Sequence, residues 1–277
     1  MRKGFNYKVK PSDVYLHTLR DSVTPTDLKD FLDEKYSLYA SPRFIETDPI
    51  QIPRSFSTKE DIEISGFLTA TIAWGQRPQI IGSAKKLMRL MDNSPFEFIV
   101  QASVKEIKTL SAFYYRTFNG TDCIAFIKSL QHIYTQNETL ESVFEKGFAE
   151  TQTVKGAISN FRSAFTQLEF PHRSFKHISN PMAGSAAKRL NMYLRWMVRP
   201  PKENVDFGLW ETIPPSALML PLDVHSGRVA RKLGLLQLKQ SSWKAVEQVT
   251  SKLRILDPID PVKYDFALFG LGVFEKF

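Results

Sequence analysis

The sequence is poor in the residues that build disulfide, metal and membrane chemistry. It has one cysteine, Cys123, in 277 residues, so no intrachain disulfide, multi-cysteine zinc site or four-cysteine iron–sulfur cluster can be assembled. A reducing cytoplasm fits that usage best. The histidines, His17, His132, His172, His177 and His225, are scattered, and none forms the i, i+4 pair that would put two ligands on one helical face. No apolar run approaches the roughly 18 residues needed to cross a bilayer, and the basic opening "MRKGFNYKVK" leads into no apolar signal core. Glycine-rich phosphate loops, solenoid repeats and low-complexity tracts are missing too. A soluble, cytoplasmic protein with no membrane partner is expected, and any chemistry it performs falls to ordinary side chains, with no cofactor and no metal.

What is there is a basic series of helices. Lys and Arg number 37 against 29 Asp and Glu, a formal charge of +8, which favours a polyanionic partner such as nucleic acid. "TPTDLKDFLDEKY" puts Leu28, Phe31 and Leu32 on one face. "STKEDIEISGFLTATIAWG" has Ser57 three residues ahead of Glu60, a capping-box pattern, and carries Ile64, Phe67, Leu68, Thr71 and Ile72 at helical spacing. After the break "GQRP", Ile80, Ala84, Leu87, Met88 and Met91 form a stripe opposite Lys85, Lys86 and Arg89. "DCIAFIKSLQHIYTQ", "VKGAISNFRSAFTQL" and "GSAAKRLNMYLRWMVR" are further amphipathic helices. The irregular connection "PPKENVDFGLWETIPPSALMLPL" follows, its Leu209 and Trp210 suggesting that it packs down, and three helices beginning near Asp223, Ser242 and Asp260 close the series. Strand-like alternation is scarce, and the expected fold class is all-α.

Within "LPLDVHSGRVARKLGL", Asp223 stands ahead of Arg228, Arg231 and Lys232. Its local reading is an N-cap, since Asp is among the best N-cap residues and Val229, Ala230 and Leu233 share one face before Gly234. The segment resembles the stretch holding the catalytic aspartate of the helix-hairpin-helix DNA glycosylase superfamily, whose pattern is met by Pro221, Leu222, Asp223, His225, Arg228, Val229, Arg231 or Lys232, Leu233 and Gly234. "GSAAKRLN" is similar to the hairpin of the endonuclease III-like members, with Lys188 at the nucleophile, Asn191 at the Asn, and Ala186 in place of the second glycine. A second register, pairing "PMAG" with the family's Pro-Gly-x-Gly, would put Ala186 at the nucleophile position instead. "FLTATIAWGQRPQIIGSAKKLMRLM" is similar to the early helix pair whose Gln opens the DNA wedge, here Gln76 beside Arg77. "DFALFGLGVFEKF" resembles the closing helix of adenine glycosylase-like proteins, but no cysteine follows it.

The resemblance implies two interlocked helical domains with a helix-hairpin-helix motif at the cleft: residues 60–187 as a central barrel-like domain ending in the hairpin, and residues 1–59 plus 188–277 as a second. It implies a DNA repair glycosylase, with or without abasic-site (AP) lyase activity, acting as a monomer on duplex DNA with a damaged base. Asp223 would stabilise the oxocarbenium-like sugar, and Lys188 would attack C1′ to give a Schiff base, its pKa lowered by partial burial, by Arg189 and by the helix N-terminus. Gln76, Arg77, Gly184, Arg189, His225, Arg228 and Lys232 would contact DNA, while Trp74, Tyr193, Trp196 and Trp210 would wall the pocket for the flipped base. The spacing of 223 − 188 = 35 residues is longer than in endonuclease III and closer to the divergent archaeal 8-oxoguanine branch. It requires the proline-rich connection to loop out. The rival readings are a catalytically silent DNA- or RNA-binding protein that kept the fold, and a helical scaffold whose basicity is incidental.

Overall fold

A computed structural model describes residues 24–136 and 138–277; His17 lies outside them. The fold is all-α. Among the described residues there are thirteen α-helices and one two-stranded antiparallel hairpin. No helix among them is long and apolar enough to cross a membrane. Helix α1 (Pro25–Tyr39) and the single turn α2 (Pro42–Ile45) lead to α3 (Lys59–Thr71) and α4 (Arg77–Arg89). The short α5 (Pro95–Gln101) and α6 (Val104–Thr109) precede the hairpin β1 (Tyr114–Tyr115) and β2 (Phe118–Asn119). Then come α7 (Gly120–Thr135), α8 (Leu140–Thr151), α9 (Val154–Phe165), α10 (Lys188–Val198), α11 (Val224–Lys232), α12 (Trp243–Leu256) and α13 (Tyr264–Val273).

Helix α3 is the hub. Every residue from Ile62 to Thr71 is buried, so this helix has no polar face to show and other helices must surround it. Phe67 meets the rings of Phe126, Phe161, Phe165 and Tyr193, drawn from α7, α9 and α10. The cap of α3 is Thr58, whose hydroxyl accepts from the Asp61 amide, one residue later than the expected Ser57 pattern; both spacings offer a hydroxyl ahead of an acid, and the helix uses the second. Unanticipated by periodicity are α2, α5 and α6, which have 4, 7 and 6 residues and are too short to display a repeat. The 12-residue α8 was also missed, and it is fixed by antiparallel packing against α9 through the close approach of Gly147 to Ala157 and Asn160.

The two ends of the described chain meet. Helix α13 packs on both α1 and α11, and α1 can come close because α13 has Gly270 there: a Cβ at that position would lie 2.1 Å from the Tyr39 ring. Helix α10 packs on α3. The proline-rich connection does not loop out. It runs back along the C-terminal end of α10, where the amides of Phe207, Leu209 and Trp210 donate to the carbonyls of Trp196 and Met197, satisfying groups that a helix end leaves without partners. Trp210 is buried, and its indole N–H donates to Glu63 Oε1 at 2.8 Å.

Beneath this connection runs a buried charge network. Arg199 pairs with Asp206 and Asp260, Arg195 pairs with Asp206 and Asp265, and the Tyr36 hydroxyl accepts from Arg199. It ties the connection (Asp206), α10, the entry to α13 and α1 together.

Candidate active site

A turn over residues 180–185 places Lys188. The Gly184 amide donates to the Pro181 carbonyl at 3.0 Å and the Ser185 amide to the Asn180 carbonyl at 3.1 Å, closing a turn in which Gly184 is exposed with φ +88°. Its first arm is the six-residue 3₁₀ segment His172–His177 rather than an α-helix. The turn is pinned to the start of α12, where the Trp243 amide donates to the Gly184 carbonyl at 2.9 Å. Ala187 then adopts the left-handed region (φ +46°) as an N-cap without a side-chain acceptor, so Lys188 is the first helical residue. Its amine sits 3.5 Å from Met192 Sδ, one turn on.

Asp223 is a cap in fact. It begins α11 with a reciprocal capping box: Asp223 Oδ1 accepts from the Ser226 amide at 2.8 Å, and Ser226 Oγ accepts from the Asp223 amide at 2.9 Å. The Ser226 hydroxyl also donates to Oδ1, at 3.1 Å, so both hydrogen bonds to the Asp223 carboxylate fall on that oxygen. Oδ2 accepts none among the described residues.

Lys188 and Asp223 line the same cavity, of about 450 Å³, which falls in the range of small-molecule sites. Its mouth is formed by the Trp74–Arg77 turn and the start of α11, and its apolar wall includes Phe44, Trp74, Met192 and Phe269. Trp74 is held by Arg189, 5.0 Å from its ring centroid, and by the stacked imidazole of His177 at 5.8 Å. Burial pushes His177 down to about 4, against the pull of Asp122, so that ring is neutral near pH 7.

Two further carboxylates line the cavity. Asp48 pairs with Arg77 at 3.0 Å. Asp265 pairs with Arg195, and burial, with Asp223 adding to it, pushes its carboxyl up to about 6. Burial pushes the Lys188 amine below the usual lysine range, while Asp223, Asp265 and Asp48, in falling order, pull it back toward the charged form. The push from Arg189 is smaller than any of these. Among the described residues no cluster of His, Cys, Asp and Glu is arranged to hold a metal ion.

The expected site residues divide. Lys188, Asp223, His225, Arg77 and Trp74 line the cavity, while Ala186 does not, so the register with Lys188 is the one that puts an amine there. Gln76, Gly184 and Lys232 are exposed, as a surface contact requires. Tyr193, Trp196 and Trp210 are core residues, not pocket walls: each is at most 1 % exposed, and the Tyr193 hydroxyl donates to the Glu63 carbonyl. An amphipathic helix turns its largest rings toward the hub, which sequence alone does not locate. Arg189 does not face DNA either; it donates to the Thr71 and His177 carbonyls under Trp74. Arg228 donates to the Gly272 and Phe277 carbonyls, which makes it a tie to the end of α13 rather than a free phosphate contact. Arg77 spends its charge on Asp48 and its flat face on Phe269, at 4.6 Å.

Sequence reading missed Asp48, Asp265, Arg195 and Phe269. For Asp265 a signal existed: it is the one charged residue in the apolar run "YDFALFGLGV". It also missed the β1–β2 hairpin, whose exposed Arg116 lies beside Gly75, with the Tyr115 hydroxyl donating to the Trp74 carbonyl at 2.6 Å.

Fold and site together define a helical protein with a lysine and three carboxylates gathered in an aromatic-walled cavity lined by residues of α4, α10, α13 and the start of α11. Residues 48–274 match the family described as "Protein of unknown function (DUF2400)", and the chain belongs to that family. No curated protein and no solved structure matches it.

Proposed function

We propose that this protein is a DNA repair glycosylase with AP-lyase activity, acting on a nucleotide flipped into the cavity. The observation that carries this reading is the presence of the Lys188 amine and the Asp223 carboxylate in one cavity, from segments 35 residues apart (223 − 188). Breaking an N-glycosidic bond builds positive charge on the sugar, and a carboxylate held in place stabilises it. Asp223 suits the role because its cap bonds fix the group through Oδ1 and leave Oδ2 for the sugar. A lysine becomes a nucleophile only when neutral, and burial favours that form of Lys188. Trp74, Phe44 and Phe269 offer flat faces on which an unstacked base can rest. Gln76 and Lys232 present exposed donors to the duplex, whereas the amides of Met182, Ala183, Gly184 and Ser185 are spent inside their own turn.

Borohydride trapping on duplexes carrying an abasic site or 8-oxoguanine tests the proposal. The expected result is a covalent adduct lost in Lys188→Ala and retained in Lys239→Ala, an exposed lysine away from the cavity. Base release that survives Lys188→Ala but not Asp223→Asn would replace the lyase by a water-using glycosylase. Salt-sensitive binding without base release across a lesion panel would leave only a nucleic-acid-binding protein.

A further inference from the structure

The cavity holds more carboxylates than one lysine needs. Asp48 is spoken for by Arg77. Asp223 has one oxygen in the α11 cap and, on the reading above, must stay ionised beside the sugar while the base leaves. Neither can also hold the proton that the Lys188 ammonium has to lose. Asp265 stands apart from both. It enters from α13, is buried, and lines the cavity with Lys188. One oxygen, Oδ2, accepts from Arg195 Nη1, and Oδ1 accepts nothing among the described residues. Arg195 is itself held by Asp206 and lies 4.4 Å over the Phe266 ring, so the Asp265 carboxyl is anchored from behind and open in front.

We infer that Asp265 is the proton acceptor for Lys188, dividing the labour with Asp223. This rests on the glycosylase–lyase reading. Lys188 makes no ion pair among the described residues, so its ammonium passes one proton to Asp265 through a bridging water and becomes the neutral amine. Its nitrogen lone pair forms the bond to C1′ as the C1′–base bond breaks, the bonding pair leaving with the base. The base takes the proton from Asp265, which returns to the carboxylate, and the lysine nitrogen, now bonded to C1′, carries the positive charge it started with. No further reactant is needed.

The groups facing Asp265 are consistent with a carboxyl that cycles between its two forms. Arg195 and Lys188 from α10 favour the carboxylate, while burial and Asp223 at the start of α11 favour the acid. Asp48 and Arg77 complete the charged lining of the cavity, and the His225 imidazole lies beside them. On α1, which packs against α13, Asp33 and Lys35 pair with Lys263 and Glu275 at the two ends of that helix rather than with Asp265. The resulting carboxyl near 6 is suited to general acid–base work close to neutrality.

The test is the pH dependence of borohydride adduct formation on an abasic duplex, which needs a neutral Lys188 but no knowledge of the lesion. The wild-type rate is expected to rise with pH through an inflection near 6. Asp265→Asn is expected to lose that inflection and to fall roughly 100-fold at pH 7, the usual loss of a general base, and Asp265→Glu is expected to restore the inflection. Asp206→Asn, which also deprives Arg195 of a partner but lies outside the cavity, should lower the melting temperature and keep the inflection. The opposite outcome is equally definite: a carboxylate that merely holds the ammonium charged slows attack, so Asp265→Asn would then react faster. An Asp265→Asn rate that is unchanged or raised, a retained inflection, or the same loss in Asp206→Asn overturns the inference. A wild-type protein that forms no adduct at any pH overturns the lyase reading itself.

Discussion

Asp223 caps α11 through Oδ1 and leaves Oδ2 without a protein partner among the described residues, and its substitutions separate the two roles. Asn is as good an N-cap as Asp, so Asp223→Asn is expected to unfold within about 0.5 kcal/mol of wild type in denaturant titrations while losing base release. Asp223→Ala should lose the activity and about 1 kcal/mol of stability as well. If Asp223→Asn keeps its activity, the carboxylate is only a cap. Glu63 makes a different kind of prediction. It is fully buried with neutral donors, Tyr134 and Trp210, on its two oxygens, and burial pushes it up to about 7. Because the folded value lies above the unfolded one, the folded state binds more protons. The stability this gives is whole below the unfolded value near 4.5 and is lost as pH rises through about 7. Melting curves of wild type and Glu63→Gln should therefore diverge between pH 5 and pH 8 by roughly 3 kcal/mol, with Glu63→Gln the more resistant to alkali.

At the scale of elements, legibility followed length and capping. The starts at Asp223 and Ser242 are both N-caps in the structure, because a hydroxyl or carboxylate before an apolar stripe is a local signal that tertiary contacts have no reason to override. The expected start at Asp260 holds as a 3₁₀ turn, Pro261–Lys263, which passes into α13. What remained hidden was which face each stripe presents and to what. The rings of α10 went to the hub rather than to the cavity, and the cationic residues of α11 split between a tie and the surface. That split is measurable. Lys232→Ala should reduce the slope of log binding constant against log salt by about 0.9, the share of one phosphate contact, and leave folding alone. Arg228→Ala should instead lower stability through its two lost carbonyl partners, Gly272 and Phe277. The α1–α13 seam is tight enough to test by overfilling: Gly270→Ala is expected to cost about 1–3 kcal/mol in unfolding titrations, with part of that regained when Tyr39 is also trimmed to Ala.

For the whole molecule, the all-α class could be read from periodicity, and so could the segments carrying Lys188 and Asp223. Their convergence could not, nor could Asp265, since both depend on how α13 seats between α1 and α11. The proline-rich connection was the largest surprise of this kind. Leu209 and Trp210 suggest that it packs down, while the resemblance requires it to loop out; the backbone carbonyls at the end of α10 and the paired charges beneath it draw it in. That feature limits how the chain can change over time. Asp206 lies within the connection, and Arg195 and Arg199, both buried, depend on it. A deletion that removed Asp206 would take one of two buried carboxylate partners from each guanidinium, leaving Arg195 with Asp265 and Arg199 with Asp260, at a cost of several kcal/mol. The connection can therefore be shed only by a lineage that first gives up its arginines, and once acquired together with them it becomes hard to lose.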